Sequence, residues 1–216
     1  MNGHTENGVD RSISVFGAFL SVAFGLAFSE FVSNTTYLFP YSPNFQFGFK
    51  TFLGALFFTY LVLLGFEAFV WFDTGKSRLL EFCPTTRYTT YTIFLLEYFP
   101  IFFICELFGD TDLSDVRFIT SFLVAQAALF LLFFIYQIPQ AVELLARRRL
   151  AELRAKISYL APTITIQLIV ILSTGLVLVK ENSTNLHQLK GGAYFIAFWV
   201  LIYFVVWLRR FIKSQM

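Results

Sequence analysis

Charge is scarce in this chain, and the shortage sets its class. Only 14% of the 216 residues are Asp, Glu, Lys or Arg, against about 25% in soluble domains. A chain that is 57% hydrophobic with so few charges has too little polar surface to coat a water-soluble fold of this size. Histidine is scarcer still. The two present, His4 and His187, lie outside the apolar runs, which argues against an intramembrane haem, a zinc centre or histidine-based acid–base chemistry. Cys83 and Cys105 are the only cysteines. They fall in different segments without C-x-x-C spacing, so neither a redox pair nor a metal site is indicated. Walker A, nucleophile-elbow, H-E-x-x-H and aspartate-rich prenyl-diphosphate motifs are missing, as is a T-V-G-Y-G filter, and no lysine sits centrally in an apolar run. These absences lead us to expect no enzyme activity, no cofactor, no metal and no nucleic-acid partner.

What is there is apolar length. Mean hydropathy is +0.68, and six runs, 12–32, 51–72, 88–108, 116–138, 159–179 and 193–207, approach or exceed what crosses a ~30 Å hydrocarbon core. The alternating ten-residue segments of a β-barrel are missing. The expected architecture is all-α: one integral membrane domain, 1–216, forming a polytopic transmembrane helical bundle of six helices. Orientation follows from the basic residues. With the N-terminus inside, Arg11, Lys76, Arg78, Arg87, Arg147, Arg148, Arg149, Arg154, Lys156, Arg209, Arg210 and Lys213 are cytoplasmic. That is 12 of the 16 Lys and Arg, leaving Lys50, Arg117, Lys180 and Lys190 outside. The bias holds at every loop and predicts both termini in the cytoplasm. Trp71, Tyr88, Tyr194 and Trp207 suit interfacial anchoring, and the 30 Phe read as lipid-facing and interhelical packing. Two Asn-x-Thr/Ser triplets, at Asn34 and Asn182, fall in outer loops and permit glycosylation.

Several features bear on function. Gly17, Ser21, Gly25 and Ser29 are spaced four apart, a ridge of small side chains where another helix, in this chain or a second copy, can approach closely. Glu67 and Glu97 fall inside runs that are consecutive and antiparallel, so their carboxylates can meet and share a proton or hold a cation. Tyr60 lies two turns from Glu67, and Tyr98 adjoins Glu97. Pro100 removes the amide that the Leu96 carbonyl would accept and bends the helix beside Glu97. Glu106 precedes an acidic outer loop with Asp110, Asp112 and Asp115, which raises local cation concentration. The stretch 140–157 reads as one amphipathic cytoplasmic helix. Its Arg147, Arg148, Arg149 and Arg154 face lipid headgroups or a cytoplasmic protein, and Glu143–Arg147 and Glu152–Lys156 form i,i+4 pairs.

Together these features point to a small ion channel or proton-coupled transporter that prefers cations and uses intramembrane carboxylates. The alternative is a non-transporting accessory or signalling subunit that acts through its basic cytoplasmic helix. Contact with the lipid bilayer is required, and a homo-oligomer is compatible with the small-residue ridge.

Overall fold

Every regular element among the described residues of the computed structural model is helical. Those residues are 3–36, 48–62, 82–110, 112–180 and 186–215. In order the helices are α1 (Gly3–Asn34), α2 (Phe49–Val62), α3 (Pro84–Leu96), α4 (Tyr98–Gly109), α5 (Asp115–Ile135), α6 (Ile138–Ala146), α7 (Leu150–Lys180) and α8 (Leu186–Gln215). Five stretches are long and apolar enough to cross a membrane: Gly17–Asn34, Pro84–Gly109, Asp115–Ala146, Leu150–Val179 and Leu186–Arg209. They correspond to five of the six expected runs and make the chain a multi-pass helical bundle. Of the run at 51–72, the apolar helix Phe49–Val62 is described; 63–72 lie outside the described residues.

Prolines set two of the helix boundaries. Pro100 denies the Leu96 carbonyl its amide, and the helix is interrupted at Glu97, between α3 and α4. Pro139 acts likewise on Ile135, where α5 ends and α6 begins after two turn residues. Pro162 is accommodated within α7. A third boundary has neither proline nor glycine. The expected continuous helix over 140–157 is two helices that meet at Arg147–Arg149. Arg148 takes a left-handed conformation, φ 55°. The amides of Arg148 and Arg149 donate back to the carbonyls of Leu145 and Leu144 at 3.0 and 2.9 Å. This is the Schellman geometry usually built with glycine. The helix ends because its last carbonyls are satisfied from beyond the turn.

α5 is central, packed against α4, α7 and α8, while α1 pairs with α4 and α7 with α8. Phenylalanine fills the interior. Phe108 meets Phe31 and Phe118 edge-on at 5.5 and 5.2 Å, a geometry worth about 0.5–1.5 kcal/mol per pair beyond area burial. The helix contacts sort the loops to two ends. At one, Lys190 pairs with Asp115 at 3.1 Å and Lys50 covers the Phe118 ring at 4.9 Å. At the other, Cys83 meets Glu143 and Lys156 meets Gln140.

The α1–α4 pair is parallel. Tyr98 Oη donates to the Leu20 carbonyl at 3.5 Å, Cys105 Sγ to the Ala27 carbonyl at 3.5 Å, and Asn34 Nδ2 to the Cys105 carbonyl at 3.1 Å. Leu20, Ala27 and Asn34 are seven apart, with Phe24 and Phe31 between them, so a heptad seam faces α4. In the α7–α8 pair, Gly192 packs against Val177, where an added Cβ would lie 2.7 Å from Val177 Cγ2.

Candidate functional site

Glu97 is the one carboxylate among the described residues buried deep in the bundle, with only 1% of its surface exposed. It occupies the residue between α3 and α4, where its amide still bonds to the Ile93 carbonyl at 3.3 Å. The backbone of Glu97 stays helical, φ −61° and ψ −24°, and the residue stays buried. Glu97 is 12 residues from Gly109, about 18 Å along the helix, close to the middle of a ~30 Å core. Gln126 on α5 and Gln167 on α7 are buried at 6% and 1% exposure. By the same rise, Gln126 is about 16 Å from the α5 end at Asp115, and Gln167 about 20 Å from the α7 end at Lys180. The helix ends are not level, however: Phe94 faces Tyr136 and Phe108 faces Phe118 and Phe122, so Gln126 sits nearer the Asp115 end than Glu97 does.

Gln126 is readable in the sequence as a candidate hydrogen-bond partner for a buried Glu, but Gln167, Thr174 and Trp199 are not, because a lone Gln, Thr or Trp in an apolar run looks like filler. The buried atoms Gln167 Oε1, Thr174 Oγ1 and Trp199 Nε1 have no hydrogen-bond partner among the described residues. Each such atom costs about 1–3 kcal/mol to leave unsatisfied. The signal is chemical rather than periodic: Thr163, Gln167 and Thr174 share one buried face of α7 at 4%, 1% and 1% exposure.

Tyr60 is buried and stacks on Phe57 and Phe204, both at 5.9 Å. Together with Gln126 it borders a small cavity otherwise walled by apolar side chains from α2, α4, α5 and α8. The room for a water centre is about 20 Å³, which holds about one water molecule. Tyr98 turns its hydroxyl to the Leu20 carbonyl of α1. Pro100 is half-buried in the first turn of α4. Glu67 lies outside the described residues. Glu106 is exposed at the far end of α4, away from Glu97.

The acidic loop does not converge. Asp110 Oδ1 accepts the Asp112 amide at 3.1 Å, Asp115 pairs with Lys190, and among the described residues no three His, Cys, Asp or Glu side chains gather as a metal site. Asn34, in a triplet that would permit glycosylation, turns its amide inward. It donates to Glu30 Oε1 at 3.0 Å and to the Cys105 carbonyl.

The small-residue ridge faces two ways. Gly17 is buried, but Ser21, Gly25 and Ser29 are exposed, and a Cβ on Gly25 would meet nothing within 4 Å. Within the chain, Ala27 rather than the ridge makes the close approach to α4.

At the basic end, Glu143 pairs with Arg147 as expected, and it also accepts the Cys83 amide with both oxygens. The expected Glu152–Lys156 pair does not form. Arg149 takes Glu152 at 2.5 Å, and Lys156 crosses to Gln140 because the turn lays α7 beside α6. Comparison with known proteins finds no family model that matches the chain and no similar curated protein or solved structure.

Proposed function

We propose that this chain is a proton-coupled transporter or small cation-conducting membrane protein in which Glu97 takes up and releases the proton. The observation that carries this reading is the 1% exposure of Glu97 at a helix interruption in mid-bundle. A carboxylate there costs at least about 2.5 kcal/mol in its charged form, so its protonation is tied to which side gives it access. The Pro100 break frees the Leu96 carbonyl beside it, and a break of this kind is where membrane helices hold exchangeable ions.

The interior favours a proton over a hydrated cation. The cavity bordered by Tyr60 and Gln126 has room for about one water, too small for an ion with its hydration shell, and Glu97 is not among the residues that line it. Glu67 is the proposed partner carboxylate, and Glu106 with the neighbouring aspartates collects cations at the outer face. The proposal places six spans with both termini in the cytoplasm, an arrangement that accords with the segregation of basic side chains. The exposed Ser21, Gly25 and Ser29 offer a second copy a close approach.

The test is flux through the purified protein in liposomes under separate proton, potassium and sodium gradients. Proton-driven flux is expected in the wild type and its loss in Glu97→Gln. Undiminished flux in Glu97→Gln would remove Glu97 from the mechanism, and a folded but silent wild type would favour the accessory-subunit reading.

A further inference from the structure

The stripe of apolar side chains that faces outward from the bundle does not stop where the bilayer should. On α5 and α6 it runs through Val124, Leu131, Ile138, Val142 and Leu145, all 44–58% exposed, at spacings of 7, 7, 4 and 3 that keep one face of the helix. On α7 it runs from Leu150 and Ile157 to Leu168 and Leu172, 41–65% exposed. The apolar stretch Leu150–Val179 is 30 residues long, about 45 Å, against a ~30 Å core. About ten residues of α7, together with all of α6, therefore form a helical hairpin beyond the hydrocarbon. That hairpin still shows the apolar face that lipid covers elsewhere.

Its tip carries the other half of the signature. Arg148 and Arg154 are exposed, and neither forms an ion pair among the described residues. The neighbouring carboxylates Glu143 and Glu152 are taken by Arg147 and Arg149. An apolar face rimmed by uncompensated arginines is the pattern of a helix seated at an anionic membrane surface.

We infer that the α6–α7 hairpin is a docking surface for anionic phospholipid of the leaflet on the basic side. Acyl chains cover Val142, Leu145, Leu150 and Ile157, and headgroup phosphates sit on Arg148 and Arg154. Charge complementarity and the unbroken continuity of the stripe with the lipid-facing surface of α5 and α7 favour lipid over a protein partner. The inference does not depend on the role of Glu97.

The test places a nitroxide at residue 150 of the full chain, as Leu150→Cys in a Cys83→Ser background. Cys105 is fully buried in the α1–α4 seam and does not react. Collision with oxygen reports lipid and collision with a water-soluble nickel chelate reports solvent, in bilayers of phosphatidylcholine with and without phosphatidylglycerol. The expected result is a lipid-seated label in the anionic membrane. Arg148→Gln and Arg154→Gln should each shift the ratio of lipid-seated to solvent-exposed label about fivefold toward solvent. A label open to the nickel chelate in both membranes would overturn the inference and mark the hairpin as an arm for a protein partner. Equal seating with and without phosphatidylglycerol would overturn its preference for anionic lipid.

Discussion

Glu143 accepts the backbone amide of Cys83 with both carboxylate oxygens, at 2.8 and 3.1 Å. Cys83 is the residue that opens α3, and its own side chain makes no capping hydrogen bond. A carboxylate at a helix start satisfies an amide that otherwise has no acceptor and complements the helix dipole. Here the cap is supplied from α6, so one residue both starts α3 and fastens it to the hairpin. Glu143→Ala should lower stability by about 2–3 kcal/mol, and Glu143→Gln by less, since it keeps one acceptor. Thermal unfolding in detergent reads both. An unchanged midpoint for Glu143→Ala would show that the contact contributes nothing.

Gly192 packs directly against Val177. A methyl group on Gly192 would lie 2.7 and 2.9 Å from the two Val177 methyl carbons, which are held on a β-branched side chain with little freedom to move. Gly192→Ala is expected to destabilise by about 1–3 kcal/mol. The double variant with Val177→Ala should recover most of that loss, because the two substitutions act on one contact.

Arg148 occupies a backbone conformation that L-residues adopt at a cost of about 1–2 kcal/mol. Arg148→Gly should therefore raise the unfolding midpoint in detergent by the equivalent of about 0.5–1 kcal/mol, after the entropy that glycine adds to the unfolded chain. Arg148→Val should lower it. If both variants lowered it equally, the arginine side chain rather than the turn would be what matters there.

The inward turn of Asn34 has a biochemical consequence. Its amide nitrogen is engaged by Glu30 and the Cys105 carbonyl, and a Cβ on Gly109 would lie 2.8 Å from Asn34 Cγ. Expressed in a glycosylating host, the protein should carry no glycan at Asn34, as read by glycosidase treatment and peptide mapping. Asn34→Leu should cost about 1–3 kcal/mol, because the buried Cys105 carbonyl loses its donor.

The helix content was legible wherever apolar length or a proline decided it. Pro100 announced a bend beside Glu97, where the structure ends one helix and begins the next, and the run lengths announced five of the spans. The ridge of small residues misled for a geometric reason. Successive positions four apart advance about 400°, so four of them drift about 120° around the helix, from a buried Gly17 to an exposed Ser29. The seam that packs alternates four and three, Leu20, Phe24, Ala27, Phe31, Asn34, and holds one face. It was visible in the sequence but hidden among equally apolar neighbours. The turn at Arg148 had no glycine or proline to mark it. Missing it made Lys156 look like a partner for Glu152 rather than for Gln140. Of the candidate site, Glu97 could be found because a carboxylate is rare in an apolar run. The buried Gln167 and Thr174 could not, because only the packing of α7 shows that they face inward.

The parallel seam between α1 and α4 also constrains the order in which the protein can be made. The carbonyl that Asn34 donates to lies 71 residues downstream. When the first helix leaves the ribosome, its partner has not been synthesised, and an intervening segment must thread back before α4 can run alongside it. During that interval Asn34 and the seam face of α1 are uncovered in the translocation machinery or the lipid. Biogenesis must therefore hold the first helix in waiting, and a nascent chain arrested before residue 98 retains that helix without its native neighbour.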